Sequence, residues 1–304
     1  MDFKLKGVVP PVTTPLTIDR KLDITSFERG INRMIDVGVN GLFFGGSSGE
    51  IAFLTDELRT QVLSEAVRIV QGRVPILAGV IDMQTERMVQ HAQEARSLGF
   101  NAIVATAPFY AINSEVEIEQ NFRCLAEVGL PVFAYDIPVC VHRKLSNELL
   151  VRLGSEGILA GVKDSSGDDV AFRLLCLANK DAGHPLSLLT GHEVVVDGAY
   201  LGGADGCVPG LANVAPELYV EQWNAAQDGN WAQVAALQDK AARLMKIAMS
   251  ATATKGYGVG VGGFKTALML MGIYSSNQMS RPVSRLEGAD VDRIETILKA
   301  EGLL

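Results

Sequence analysis

Residues 157–168 read GILAGVKDSSGD, and the first half of this stretch decides the predicted fold. Residues 158–162 are apolar on both faces and too few for a helix, which is typical of a strand buried in a parallel sheet. A single cation, Lys163, ends this run and precedes a polar turn. Taken alone, a lysine in this position is more often a solvated or ion-paired residue at the sheet edge than an amine used in chemistry.

Seven other short apolar runs share this character: 7–12, 41–44, 75–80, 101–105, 131–135, 186–190 and 205–208. Between them, apolar residues recur at helical spacing, most clearly over 55–71, 84–98 and 114–128. Thr55 is a suitable N-cap for the first of these helices, and Gly129 a suitable C-cap for the last. Eight such units predict an α/β fold, a (β/α)8 TIM barrel, in preference to a doubly wound open sheet.

After residue 208 the sequence predicts helices only, at 216–227, 231–250 and 263–272. No flexible linker precedes them, so we expect a C-terminal helical extension packed on the barrel, with residues 1–225 as the catalytic barrel and 226–304 as the extension. Residues 258–263 match G-x-G-x-x-G but follow no predicted strand. They are therefore interpreted as a loop between helices and not as a dinucleotide site.

The composition argues against several classes of function. The 304 residues have a formal net charge of −8 and no cluster of lysine or arginine, which disfavours nucleic acid and anionic membrane surfaces as partners. No stretch is typical of a membrane span or a signal peptide. Four cysteines and four histidines are scattered and match no metal-binding spacing. We therefore expect a cytoplasmic protein with reduced thiols, no metal and no cofactor.

The residues that carry chemistry come directly after predicted strands, where active sites of barrels lie. Lys163 ends strand 6, Tyr135 ends strand 5, and Ser47 and Ser48 lie in a glycine-rich turn after strand 2. A partly desolvated amine forms a Schiff base with a ketone, a tyrosine hydroxyl moves protons, and a Gly/Ser turn binds a carboxylate. Together these groups predict capture of a 2-keto acid, although each one alone has a purely structural explanation.

The motifs GSSGE (46–50), YDIP (135–138) and GVKD (161–164) occur in this order after strands 2, 5 and 6. This combination resembles the dihydrodipicolinate synthase / N-acetylneuraminate lyase family of class I, pyruvate-type aldolases. The likeness extends from GVVP (7–10) to KTAL (265–268). It implies a barrel with C-terminal helices, pyruvate and an aldehyde as substrates, and a homotetramer built as a dimer of dimers.

The resemblance also implies roles for individual residues. Lys163 would form the imine with pyruvate, and Tyr135 would shuttle protons. Ser47 and Ser48 match the family's hydroxyl pair, which holds the keto-acid carboxylate and links to the tyrosine. Tyr110 falls where the family has a tyrosine that reaches across the dimer interface into the neighbouring site.

Two further positions are implied, and three residues bear on the substrate. Gly46 belongs to the carboxylate-binding turn, and the backbone of Val208 would complete the pyruvyl pocket. Cys140 occupies the position where synthases of the family have a carboxylate-binding arginine, and Asp136 replaces the usual asparagine. A thiol cannot make the bidentate contact of an arginine, and His142 or Arg143 is left as a partial substitute for it. Glu193, after strand 7, is assigned to binding sugar hydroxyls.

The predicted function is therefore a Schiff-base aldolase or lyase that joins pyruvate and an aldehyde, acting on a 2-keto-3-deoxy sugar acid or a related hydroxylated keto acid. A dehydratase using the same imine is an alternative. A 4-hydroxy-tetrahydrodipicolinate synthase is disfavoured by Cys140. A non-catalytic barrel with a regulatory or scaffold role is disfavoured by the intact set of reactive residues. Pyridoxal phosphate on Lys163 would need a phosphate cradle after strands 7 and 8, which the sequence lacks.

Overall fold

The apolar runs form one parallel sheet in the computed structural model, which describes residues 3–252 and 255–304. Its strands are β1 (Gly7–Val8), β2 (Leu42–Phe44), β3 (Ile76–Gly79), β4 (Ala102–Ala105), β5 (Val132–Asp136), β6 (Gly161–Asp164), β7 (Ser187–Thr190) and β8 (Gly206–Cys207). They pair in the order β1-β8-β7-β6-β5-β4-β3-β2. A parallel bridge between Pro11 and Phe43 joins the two ends of this order. The sheet is thereby closed, which confirms the predicted barrel over the open sheet.

Helices alternate with the strands and then continue alone after β8. They are α1 (Ile24–Val37), α2 (Asp56–Val70), α3 (Thr85–Leu98), α4 (Glu115–Ala126), α5 (Pro138–Val141), α6 (Asn147–Ser155), α7 (Asp169–Asp181), α8 (Val196–Gly202), α9 (Pro216–Gln227), α10 (Trp231–Leu244), α11 (Tyr257–Leu270) and α12 (Ala289–Ala300). The predicted α2 and α4 are confirmed, and so is the N-cap at Thr55. The C-cap predicted at Gly129 is wrong, because α4 ends at Ala126 and its C-cap is Glu127. The Thr55 side chain accepts a hydrogen bond from the Leu58 amide, and Ser114 forms a capping box with Glu117.

Two boundaries in the C-terminal region differ from the prediction. The helix predicted over 231–250 ends at Leu244 and continues as a 3-10 turn, Met245–Ala248. The loop predicted at 258–263 is wrong, because these residues form the first turns of α11. A Cβ atom on Gly263 would lie 2.3 Å from the carbonyl oxygen of Ile247. Gly263 therefore serves close packing of α11 on the 3-10 turn, not a change of chain direction.

The division at residues 225/226 remains a prediction, and it falls within the last turn of α9. This helix packs against β1 and α1 and so belongs to the outer layer of the barrel. None of the helices in the described ranges is long and apolar enough to cross a membrane.

Candidate active site

Lys163 and Tyr135 lie side by side on neighbouring strands. They are register partners in the parallel pair β5–β6, so both side chains leave the sheet on the same face. The Nζ atom of Lys163 lies 3.8 Å from the centroid of the Tyr135 ring and 5.2 Å from that of Phe43. Lys163 is only 6% exposed and Tyr135 3%. The predicted amine and phenol therefore form one buried pair at the carboxyl end of the barrel.

The turn after β2 brings a serine hydroxyl to this pair. Ser47 Oγ lies 3.4 Å from the Tyr135 hydroxyl, at hydrogen-bonding distance. The turn can approach so closely because Gly46 lacks a side chain, since a Cβ there would lie 2.5 Å from the ring of Phe43. Glu50 closes the turn in a left-handed conformation, and its amide donates to the Ser47 carbonyl at 3.0 Å. Gly46 and Ser47 are thus placed as the sequence predicts.

Tyr257, at the start of α11, contacts the same turn. It is not among the site residues predicted from the sequence. Its hydroxyl donates a hydrogen bond to the Ser47 carbonyl, and its ring packs edge-on against Phe53 at a centroid distance of 5.1 Å. Burial raises the pKa of the Tyr257 hydroxyl well above its usual value, so it acts as a neutral donor. Nothing local in the sequence connects Tyr257 with Ser47, which is 210 positions away.

A buried ion pair forms a second connection between this turn and α11. Lys265 Nζ lies 2.5 Å from Glu50 Oε1, and neither side chain is exposed. The other carboxylate oxygen of Glu50 accepts a hydrogen bond from the Ser280 amide at 2.7 Å. The sequence offers one signal for this pair, because Lys265 is the sole charged residue within an otherwise apolar stretch, 256–274.

The residues that follow Lys163 and Tyr135 on their strands face away from this pair and hold the next loop. Asp136 and Asp164 are register partners, and the Lys144 ammonium contacts the carboxylates of both. Asp136 also accepts a hydrogen bond from the Leu145 amide at 3.2 Å. Burial raises the pKa of Asp136, and the contact with Lys144 opposes this effect. Asp136 therefore supplies a negative charge to Lys144, which the amide of an asparagine would not.

Glu193 follows β7, and one of its two carboxylate oxygens is hydrogen-bonded to backbone amides. Its Oε1 accepts hydrogen bonds from the amides of Gly210 and Leu211, the latter at 3.2 Å. Its Oε2 is shielded from solvent and has no hydrogen-bond partner among the described residues. Burial raises the pKa of Glu193 to about 7, against the opposing effects of these amides and of the Lys163 charge. Only Oε2 is left for the predicted contact with a substrate hydroxyl.

Ser48 and Val208 lie on the same side of the barrel mouth. Ser48 Oγ would be 3.3 Å from a Cβ atom on Gly210. The hydroxyl therefore lies beside the loop whose Gly210 and Leu211 amides donate to Glu193. The Val208 amide donates to the Thr190 carbonyl at 2.7 Å. This amide is therefore not available to a ligand.

Cys140 lies on the wall of a cavity of about 260 Å³, which Ser47 also lines and which we term the mouth cavity. Loops after β2 to β5 and the start of α11 supply its walls. They are formed by Ser47, Ile51, Ala52, Phe53, Ile81, Thr106, Phe109, Ile137, Cys140, Val141 and Tyr257. Burial raises the pKa of the Cys140 thiol, and the charge of Lys163 opposes this. The thiol is thus close enough to Lys163 to feel its charge.

Tyr110 is the one predicted catalytic residue that the fold of a single chain does not bring to the site. Its side chain is 91% exposed, and its backbone has a left-handed φ of 75°. Among the residues outside the two undescribed gaps, no group of His, Cys, Asp and Glu side chains is arranged to hold a metal ion.

Sequence and structure comparisons extend over almost the whole chain. Residues 4–301 match the Dihydrodipicolinate synthetase family. A 4-hydroxy-tetrahydrodipicolinate synthase of Phenylobacterium zucineum is 32% identical over 250 residues, which cover 81% of this chain and 83% of the relative. A probable 2-dehydro-3-deoxy-D-pentonate aldolase of Escherichia coli K12 is 29% identical over 303 residues, covering 99% of each chain.

One solved structure shares the fold closely. The prophage protein YagE of E. coli K12, a member of the dihydrodipicolinic acid synthase family in complex with pyruvate, superposes with a TM-score of 0.92. Its sequence is 28% identical, and the match covers 98% of this chain and 99% of that one. The relatives are named as lyase-type aldolases and synthases, which fits a barrel with a buried lysine and tyrosine at its mouth. This chain is a member of the dihydrodipicolinate synthetase family and a lyase.

Proposed function

We propose that the protein is a pyruvate-dependent class I aldolase that forms or cleaves a C–C bond through an imine at Lys163. The observation that carries this proposal is the buried pair of Lys163 Nζ and the Tyr135 ring, 3.8 Å apart, with Ser47 Oγ at 3.4 Å from the tyrosine hydroxyl. A reactive amine, a proton carrier and a hydroxyl-bearing turn are the groups that this chemistry needs. The pyruvate bound by YagE adds independent support.

In the proposed reaction, the Lys163 amine adds to the ketone carbon of pyruvate and water leaves. Tyr135 supplies and removes the protons of this step, with Ser47 as its hydrogen-bonding neighbour. Loss of a methyl proton gives an enamine, whose carbon attacks the aldehyde carbonyl, and the new alkoxide takes a proton. Hydrolysis of the imine releases the product. The cleavage direction uses the same steps in reverse, so no oxidant or cofactor is needed.

For the substrate, we propose a 2-keto-3-deoxy sugar acid or a related hydroxylated keto acid. Cys140 stands where a synthase would use an arginine, and the E. coli relative is named for a deoxypentonate. Glu193 Oε2 is an unused oxygen near the site that a substrate hydroxyl would satisfy. A dehydratase is the second candidate, because a carboxyl group with a pKa of about 7 is suited to protonating a departing hydroxyl.

We also propose that the enzyme assembles as a dimer of dimers in the cytoplasm. A closed assembly of this kind needs two self-complementary surfaces. One candidate surface surrounds Tyr110, with the exposed side chains of Ile112 and Val116. The other combines exposed apolar residues at helical spacing on α7 with one on α8: Val170, Leu174, Leu177 and Leu201. A cytoplasmic location is consistent with four unpaired cysteines.

Borohydride reduction in the presence of pyruvate tests the proposal. We expect an irreversible pyruvyl adduct on the peptide that contains Lys163, and none in Lys163→Ala. Tyr135→Phe should lose about 10²–10⁴-fold in turnover, while the trapped imine still forms slowly. Retained aldol activity in Lys163→Ala would end the imine mechanism. Release of pyruvate from a 2-keto-3-deoxy pentonate identifies the aldolase, whereas loss of water without pyruvate identifies the dehydratase.

A further inference from the structure

A cluster of three charged residues lies behind Lys163 and Tyr135, and the proposed mechanism does not use it. Asp136 directly follows Tyr135 on β5, and Asp164 follows Lys163 on β6. The Lys144 ammonium contacts both carboxylates. We infer that Lys144 is a positioning residue, whose charge holds the ends of β5 and β6 together and so keeps Tyr135 beside Lys163. This inference rests on the aldolase function proposed above and adds a residue that acts through the placement of its two central groups.

Every carboxylate oxygen of the cluster has a partner. Asp136 Oδ1 accepts a hydrogen bond from the Leu145 amide at 3.2 Å, and its Oδ2 contacts Lys144. Asp164 Oδ1 accepts from the amide and the hydroxyl of Ser166 at 2.8 and 2.7 Å. Its Oδ2 lies 3.4 Å from Lys144 Nζ. Lys144 therefore bridges the remaining carboxylate oxygen of each strand.

The two carboxylates need this cation because they are buried at register positions opposite each other. Asp136 is 0% exposed and Asp164 4%, whereas the Lys144 side chain keeps 31% of its surface in contact with solvent. Two like charges that are shielded from water repel each other strongly. Burial lowers the pKa of Lys144, but its contacts with the two carboxylates outweigh this effect and raise it. The ammonium therefore remains charged at neutral and mildly alkaline pH.

Repulsion at this point would act on the residues that carry the proposed chemistry. β5 ends at Asp136 and β6 at Asp164, so these two form the last register pair of the ladder that fixes Tyr135 and Lys163. One further backbone hydrogen bond follows, from the Ser165 amide to the Asp136 carbonyl at 2.9 Å. A shift of about 1 Å in a reacting group can cost about 10²-fold in rate. Separation of the strand ends would therefore reduce the rate of imine formation.

The contact between Lys144 and Asp136 also closes a loop. The two residues are eight positions apart, and α5 lies between them. This loop supplies three residues of the mouth cavity wall, Ile137, Cys140 and Val141. The same cation thus attaches the loop to the strand end that follows Tyr135.

A defect that depends on pH distinguishes this role from a purely structural one. In Lys144→Met the two carboxylates lie opposite each other without a cation, so the pKa of one of them rises. At low pH this carboxyl group is protonated and donates to its neighbour, whereas at high pH both are charged and repel. From α7, Cys176 also interacts with the charge of Asp164. Burial and nearby carboxylates raise the pKa of this thiol to about 12, so it stays neutral throughout.

The experiment follows the pyruvate adduct on Lys163, trapped by borohydride at timed intervals, between about pH 6 and pH 9. The rate of each variant is divided by the wild-type rate at the same pH. For Lys144→Met we expect this ratio to fall by about tenfold or more as the pH rises. A ratio that does not change with pH would overturn the inference.

The double variant Asp136→Asn/Lys144→Met is the matched control. It removes one charge of each sign, and the new amide can donate to the Asp164 carboxylate. Its ratio should therefore stay within about threefold of one at every pH. A double variant that forms the adduct no faster than Lys144→Met at high pH would refute the role of the charge.

Two measurements keep the outcomes apart. If far-UV circular dichroism shows that Lys144→Met does not fold, Lys144→Gln replaces it, since glutamine keeps amide donors but carries no charge. Its ratio should fall by about threefold or more over the same pH range, and a constant ratio again overturns the inference. If the wild type itself forms no adduct on Lys163, the aldolase proposal has failed. If the wild type forms the adduct and the ratios are constant, only the role of Lys144 is wrong.

Discussion

Replacing Lys265 by methionine should destabilise the protein by about 3–5 kcal/mol, because it removes one partner of a fully buried ion pair. Lys265 Nζ and Glu50 Oε1 are 2.5 Å apart, and both side chains are 0% exposed. Methionine preserves much of the length and volume of the lysine side chain. The expected loss is therefore dominated by the stranded Glu50 carboxylate, whose one remaining hydrogen bond within the described ranges comes from the Ser280 amide.

The double variant Glu50→Gln/Lys265→Met provides the matched control. It removes both charges, and the new amide oxygen can still accept from Ser280. Since replacement of a whole buried ion pair by neutral groups is often close to neutral, we expect the double variant to lie within about 1–2 kcal/mol of the wild type. It should thus be more stable than Lys265→Met, although it carries one more substitution.

Equilibrium urea unfolding monitored by far-UV circular dichroism measures these differences, at one fixed protein concentration because the chain is expected to be oligomeric. The reasoning is refuted if Lys265→Met costs less than about 1 kcal/mol, or if the double variant is no more stable than the single one. The catalytic assay supplies a second readout. Because Glu50 closes the turn that carries Ser47, kcat/KM should fall in Lys265→Met and recover in the double variant.

Three further predictions concern single residues. Burial raises the pKa of Glu193 from 4.5 to about 7, so the folded state binds its proton more tightly than the unfolded state. Relative to Glu193→Gln, the wild type should lose about 1.4 kcal/mol of its free energy of unfolding per pH unit as the pH rises from 4.5 to about 7. Urea unfolding at several pH values measures this difference. A difference between the two proteins that does not change with pH contradicts the raised pKa of Glu193. Tyr257→Phe removes the hydrogen bond to the turn after β2 and should lower kcat/KM about tenfold in a pyruvate-release assay, with a stability change of about 1 kcal/mol, whereas unchanged kinetics would show that the turn is held without it. Gly263→Ala places a Cβ atom 2.3 Å from the Ile247 carbonyl oxygen and should cost about 1–3 kcal/mol in thermal or urea unfolding, while Gly260→Ala, with open space around it, should be neutral or stabilising.

The strands and most helices were predictable because their signals are local. The runs that end at Tyr135 and Lys163 are buried on both faces, and parallel strands of a barrel read as continuous apolar stretches. Thr55 and Ser114 mark helix starts through hydrogen bonds that span only three residues. The proximity of Lys163 and Tyr135 followed from topology, since consecutive strands end at the same face of a barrel.

The missing parts of the site depend on contacts between distant residues. Tyr257 and Ser47 are 210 positions apart, and Lys265 and Glu50 are 215 apart. No periodicity, cap or turn preference encodes such a pairing. The same limitation explains why residues 258–263 look like a loop. The close approach of the Ile247 backbone, which requires a glycine at position 263, cannot be read from the sequence.

These two contacts also bear on whether residues 1–225 form a catalytic unit by themselves. Tyr257 and Lys265 both belong to α11, and both hold the turn that places Ser47 beside Tyr135. A chain that ends at residue 225 would lose these contacts and would leave Glu50 without its cation. We therefore expect residues 1–225, expressed alone and recovered in soluble form, to yield less than about a tenth of the borohydride-reduced pyruvate adduct that the full chain yields. Adduct formation at the full-chain rate would show instead that the barrel arranges its own site, and that the C-terminal helices contribute to stability or assembly but not to the placement of Ser47.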